Sequence, residues 1–170
     1  HIKMRCEDVS GFLLHSKPYS ETSLIVDLLT RQHGRVRCIA KGFRRASKKG
    51  ASRVIFPFLE HTFSWFGRSE LKTLTGAEAT RPPTFLRQDA LYIGLYVNEL
   101  VYRLLPEQES SGDFYLQYRD FLSNLCAELP HESRLRIFEM GLLEELGYGL
   151  VLDSDAESGE QIMAHHYYRY

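Results

Sequence analysis

Pro82 and Pro83 divide the chain into two stretches whose apolar residues repeat with different periods. Neither proline can donate a backbone hydrogen bond, and each disfavours helical backbone in the residue before it, so no regular element is expected to cross them. Before them, runs of β-formers alternate between turn residues. After them, apolar residues recur at helical spacing. A chain divided this way is expected to be α+β, with a strand-built unit over 1–82 and a helical unit over 83–170.

In the first unit, Val9 to Lys17 places Phe12 and Leu14 on one face and Leu13 on the other. Pro18-Tyr19-Ser20 breaks that run, and Thr22 to Thr30 (TSLIVDLLT) follows as a second strand. Arg31-Gln32-His33-Gly34 suits a hairpin, with Gly34 free to take positive φ. Val36, Cys38 and Ala40 then alternate with Arg35, Arg37 and Ile39, which predicts a third strand with both arginines on its outer face. Lys41 continues that outer side. Phe58 to Gly67 and Ser69 to Thr80 read as two more strands, joined by a tight Gly67-Arg68 turn. Five short strands within about eighty residues predict a small closed barrel or a sandwich. A five-stranded barrel with a basic outer face is the arrangement of the oligonucleotide-binding (OB) fold.

The second unit reads as three helices. Apolar residues at 86, 90, 93, 97, 100 and 104 mark Leu86 to Leu105, which Pro106 ends. Ser110 and Asp113 stand in capping-box spacing before a second stripe of Phe114, Tyr118, Phe121, Leu125 and Leu129, closed by Pro130. Ser133 to Leu146 forms the third, with Gly147 as a left-handed stop. Short links between them predict an antiparallel bundle.

Charge follows the same division. The whole chain is nearly neutral, with 21 basic and 22 acidic side chains, yet residues 1–83 carry a net +8 and residues 84–170 a net −9. Nine of the twenty-three residues from Arg31 to Arg53 are Lys or Arg, and none is Asp or Glu. Such a run is either a solvated loop or a phosphate-binding surface. The strand-borne Arg35, Arg37 and Lys41 favour the second reading, with Arg44, Arg45, Lys48, Lys49 and Arg53 as its adaptable part. Lys and Arg would displace counterions from phosphates and give affinity without sequence choice. Phe63, Trp65 and Phe66 are candidates for base stacking, although aromatics at strand spacing more often fill a core.

Other functions find little support. Cys6, Cys38 and Cys126 are far apart and form no CxxC spacing, which argues against a disulfide framework or a zinc site and points to a reducing, cytoplasmic setting. No apolar run reaches the roughly 20 residues that span a bilayer. His165 and His166 are adjacent and would point to opposite faces of a strand, a poor chelate. His15, His33 and His61 have no carboxylate or cysteine at ligand spacing. No phosphate-binding GxxxxGK[ST] loop and no nucleophile–base pair can be read, so neither catalytic residues nor a cofactor is expected.

The segment Tyr19-Ser20-Glu21-Thr22-Ser23-Leu24, with Gly34-Arg35-Val36, Ala40-Lys41-Gly42, Glu70-Leu71-Lys72-Thr73-Leu74, Gly94-Leu95-Tyr96, Asn98-Glu99-Leu100 and Leu146-Gly147-Tyr148-Gly149, resembles the bacterial RecO family of recombination mediators. The resemblance implies an N-terminal OB fold followed by a helical domain. It also implies binding of single- and double-stranded DNA, annealing of complementary strands, and, with RecR, loading of RecA onto DNA covered by single-strand-binding protein (SSB). Many members carry a four-cysteine zinc module after the Leu-Gly-Tyr position; its cysteines are missing here, so no structural zinc is expected. A basic side chain beside an apolar groove would suit the acidic SSB tail, and Arg136, next to Phe138, or Arg134 is the residue the resemblance offers. The family would act in the cytoplasm, at the nucleoid. Two other readings compete: a protein–protein adaptor with an incidental basic loop, and an RNA-binding OB protein.

Overall fold

The computed structural model describes residues 4–43, 54–107, 111–127 and 132–147. Five strands, β1 (Arg5–Pro18), β2 (Ser23–Thr30), β3 (Gly34–Lys41), β4 (His61–Phe66) and β5 (Leu71–Ala79), close into a barrel in the order β1-β2-β3-β5-β4. The β3–β5 pair is parallel and the other four are antiparallel. Among the described residues three helices follow, α1 (Gln88–Leu104), α2 (Gly112–Ala127) and α3 (Glu132–Glu145).

Local chemistry sets the element ends. Gly34 closes the β2–β3 hairpin at φ +63, where a side chain would be strained. The Thr30 hydroxyl donates to the Gly34 carbonyl at 2.7 Å and accepts from the His33 N–H at 3.1 Å, fixing the turn. β1 starts earlier than its alternation suggests, at Arg5. A bulge between Cys6 and Val9, with Asp8 at φ +53, interrupts the period there, and the Ser64 hydroxyl accepts the Asp8 N–H at 3.0 Å. β4 starts later than expected, because Phe58 turns to φ +68 before His61. Leu105 is extended, as a residue before proline prefers, and this ends α1. The cap of α2 is Ser111, one residue after the expected Ser110: its hydroxyl accepts the Phe114 N–H at 3.1 Å and donates to Glu145 at 2.7 Å. Gly147, at φ +95, stops α3 as expected.

Two apolar clusters organise the described residues. Inward residues of all five strands, among them Val26, Leu28, Val36, Cys38, Phe63, Trp65 and Leu74, fill the barrel. The second cluster joins the outward Phe12, Leu14 and Leu29 to Val97 and Val101 of α1, Tyr115 and Tyr118 of α2, and Phe138 and Leu142 of α3. The helices therefore pack on the outside of the barrel, over the end where β1 and β2 meet. Asn98 ties the two units by polar contact as well, donating to the Leu13 carbonyl at 3.5 Å and accepting the Tyr118 hydroxyl. Burial pushes the Tyr118 phenol well above its ordinary pKa, so it stays a donor. Burial also lifts the Cys38 thiol to about 12, which leaves it unreactive.

His61 secures the segment leading into β4. Its Nδ1–H donates to the Leu59 carbonyl at 2.8 Å, and its Nε2 accepts the Phe56 N–H at 3.2 Å. Both nitrogens are used by the neutral ring, and burial pulls its pKa below the ordinary 6.5 despite the Leu59 bond. Below that ordinary value the unfolded chain binds a proton that the native ring refuses, so native stability falls as pH drops through this range. Urea melts between pH 5 and 7.5 should show a shallower fall for His61→Gln than for the parent; equal slopes would rule out this residue as the source.

Candidate nucleic-acid interface

The basic strand β3 alternates as expected. Val36, Cys38 and Ala40 face the barrel interior, and Arg35, Arg37, Ile39 and Lys41 face outward. Outward does not mean solvated along its whole length, however. Arg35 is only 5% exposed, because the helical unit covers its end of the barrel. Its Nη1 donates to the carbonyls of Leu105 at 2.5 Å and Tyr102 at 3.1 Å, and its Nη2 donates to Asp27 Oδ1 at 3.2 Å. The guanidinium carbon also lies 5.2 Å from the centre of the Tyr102 ring. The carbonyls at the end of a helix lack partners in their own helix, and the helix dipole is negative there. Arg35 thus caps α1 from a neighbouring strand. The expectation that it shares a phosphate-facing surface with Arg37 and Lys41 is corrected accordingly.

Arg37, two residues on, sits at the border of the covered region. Its Nε meets Asp27 Oδ1 at 3.2 Å and its Nη2 meets Glu107 Oε1 at 3.0 Å, while 35% of its side chain remains exposed. Partial burial opposes its charge, but Asp27 and then Glu107 outweigh that and hold the guanidinium above its ordinary pKa. Asp27 itself is nearly sealed, with one oxygen shared by both arginines. Neither Asp27 nor Glu107 figures among the sequence-derived residues. A lone acid inside the apolar run Leu24–Leu29 is the signal that could have found Asp27, since a buried charge requires a partner.

Beyond Arg37 the outer face opens. The strand register sets Lys17, Ile25, Ile39, Thr73 and Phe66 side by side on successive strands, with Lys41 one step further along β3. Lys17 and Lys41 are exposed, Ile25 and Ile39 half-buried, and Phe66 is 40% exposed. Of the three aromatics proposed for stacking, Phe63 and Trp65 lie in the barrel core and are unavailable to bases. The pleat puts only Phe66 outside. Phe43 and Ile55 pack against the barrel core, pinning the chain on either side of the basic segment. Arg44, Arg45, Lys48, Lys49 and Arg53 lie outside the described residues.

On the helical unit, Arg134 and Arg136 are half-buried on α3, and Arg136 reaches Glu132 at 3.6 Å. Phe138 belongs to the core between the helices, so it does not line an open groove beside Arg136. The exposed apolar side chain there is Ile137, at 71%, and α1 exposes Leu91, Tyr92 and Leu95. The Tyr96 hydroxyl donates to Glu139 at 3.2 Å, linking α1 to α3; burial holds that carboxyl above its ordinary pKa against the pull of Tyr96 and Arg136. Among the described residues no group of three or more His, Cys, Asp or Glu could hold a metal ion, and no helix is long and apolar enough to cross a membrane.

A closed five-stranded barrel in this order, joined to a helical bundle, defines an OB-barrel protein with a helical annex. Residues 4–83 match the family model for the recombination protein O N terminus, and residues 87–170 match that for its C terminus. The chain belongs to the RecO family. It is 45% identical to the DNA repair protein RecO of Methylococcus capsulatus, over 94% of this chain and 66% of that one. It is 43% identical to the DNA repair protein RecO of Haemophilus influenzae, over 98% of this chain and 70% of the relative. The protein of that name from Erwinia tasmaniensis is 44% identical, over 89% and 62%. The chain spans about two thirds of the length of these relatives.

The two arginines should respond differently to truncation. Arg35→Ala strips a buried charge from Asp27 and leaves two helix-end carbonyls unpaired, and should cost about 3–5 kcal/mol of stability. Arg37→Ala removes a partly exposed guanidinium and leaves the sealed Asp27 still paired with Arg35, so it should cost less, about 1 kcal/mol. Chemical denaturation measures both; similar losses would contradict the assignment of Arg35 as the buried clasp.

Proposed function

We propose that this protein acts in recombinational DNA repair as a non-enzymatic mediator that binds and anneals single-stranded DNA. The observation that carries this reading is membership of the RecO family across both units, joined to a cationic outer face on the OB barrel. Barrel residues 1–82 would hold DNA and the helical unit 83–170 would serve protein contacts. Arg37, Lys41, Arg44, Arg45, Lys48, Lys49 and Arg53 supply phosphate contacts, and Lys17 joins them by its place in the register. Phe66 offers the one outward ring of the three candidates for a base.

The partners in this reading are single- and double-stranded DNA, RecR and SSB, with RecA loaded indirectly, in the cytoplasm at the nucleoid. The SSB tail would meet Arg134 or Arg136 beside Ile137 on α3, where a cation adjoins an exposed apolar side chain.

Neutralising about five phosphates should make log K on single strands fall with log salt at a slope near −3.5. A salt-insensitive affinity in an anisotropy titration would sink the electrostatic mechanism. Reversing Arg44, Arg45, Lys48 and Lys49 to Glu should abolish annealing of both bare and SSB-coated strands. Capture of SSB or RecR with no affinity for DNA would favour a protein adaptor instead, and a clear preference for RNA over DNA of equal sequence would favour an RNA-binding role.

A further inference from the structure

We propose that Glu107 is a built-in competitor for the phosphate that Arg37 takes, so that nucleic acid must displace a carboxylate of the helical unit to use this part of the barrel. The inference rests on the DNA-binding reading above and concerns how that site is regulated.

Asp27 holds Arg37 by its Nε at 3.2 Å, which fixes the direction of the guanidinium and leaves its Nη edge to whatever anion is near. Glu107 Oε1 occupies that edge at 3.0 Å. Carboxylate and phosphate oxygens accept from a guanidinium fork in the same way, so the two anions compete for the same donors. Both side chains are about one-third exposed, 35% for Arg37 and 37% for Glu107, so the exchange takes place at the surface and needs no opening of the core.

The position of Glu107 is not incidental. It stands two residues after Leu105, whose carbonyl Arg35 grips at 2.5 Å. Alternate residues of β3 thus hold the chain leaving α1 at two points, one sealed and one open. Tethering so close gives the carboxylate a high effective concentration at Arg37, as a linked competitor has. The sealed contact at Arg35 keeps the helical unit docked while the open contact at Arg37 exchanges. DNA binding on the barrel is thereby felt at the end of α1.

The test uses the full chain and fluorescent single-stranded DNA, titrated over a series of salt concentrations. An exposed ion pair contributes little, so Glu107→Gln should tighten binding by only about 1.5- to fivefold at low salt. The salt slope should stay at the parent's value, because Arg37 meets the same phosphate in both proteins and only the cost of displacing the carboxylate is removed. Glu107→Ala should behave the same way. Glu99→Gln removes an exposed acid that pairs with Arg103 within α1, and should change neither quantity. In an Arg37→Ala background, Glu107→Gln should give no gain. Parent-like binding by Glu107→Gln overturns the proposal, and so does a gain that survives loss of Arg37, which would mark a general charge effect. If no variant binds DNA, the parent included, the DNA-binding reading itself falls. Parent binding with Glu107→Gln indifferent removes the competitor alone.

Discussion

The buried guanidinium of Arg35 is the contact on which the arrangement of the two units depends. It reaches from β3 to satisfy the carbonyls of Tyr102 and Leu105 at the end of α1, and it neutralises Asp27 in the same place. Each of these groups would be costly to bury alone; together they supply one another's charge and most of one another's hydrogen bonds, although the buried Arg35 Nε has no partner. Apolar packing of Phe12, Leu14 and Leu29 against α1 and α2 supplies area but little direction. The guanidinium fork supplies direction, because its donors accept only one placement of the helix end. Folded domains hold only about 5–15 kcal/mol of net stability, so a contact of a few kcal/mol fixes a large share of the docking.

Much of the fold was legible in the sequence. The period-2 runs marked all five strands, and the apolar stripes marked all three helices, because each follows from which face must leave water. Gly34 and Gly147 were legible because their turns demand positive φ. What escaped was set by contacts distant in the chain. The bulge at Cys6–Val9 hid the first residues of β1, and the turn at Phe58 shortened β4. The cap shifted to Ser111 because Glu145, thirty-four residues away, binds that serine.

The site was less legible than the fold for the same reason. Alternation placed Arg35 and Arg37 on one face, and that much follows from strand geometry. Alternation cannot say what covers the face. The outward Phe12 and Leu14 carried a hint, since a fully solvated outer surface would not place Phe12 and Leu14 there together. The same limit applied to the aromatics of β4, where the pleat sends Phe63 and Trp65 inward and Phe66 outward, so adjacent rings serve different ends. A count of cations overstates a binding surface when an unnoticed acid such as Asp27 stands beside two of them on the same face of the neighbouring strand.

The outward cluster of Phe12, Leu14 and Leu29 has a consequence for inheritance. A barrel whose outside is partly apolar is not a transferable cassette in the way a free-standing OB domain is. Exchanging it between relatives would present one protein's strand surface to another's helices, and Arg35 would meet a helix end it was not matched to. The two units must therefore change in concert, with substitutions at the β1–β2 surface answered on α1 and α2. Chimeras joined at Pro82-Pro83 would divide the chain where its sequence pattern changes, and would cut through the middle of its shared interior.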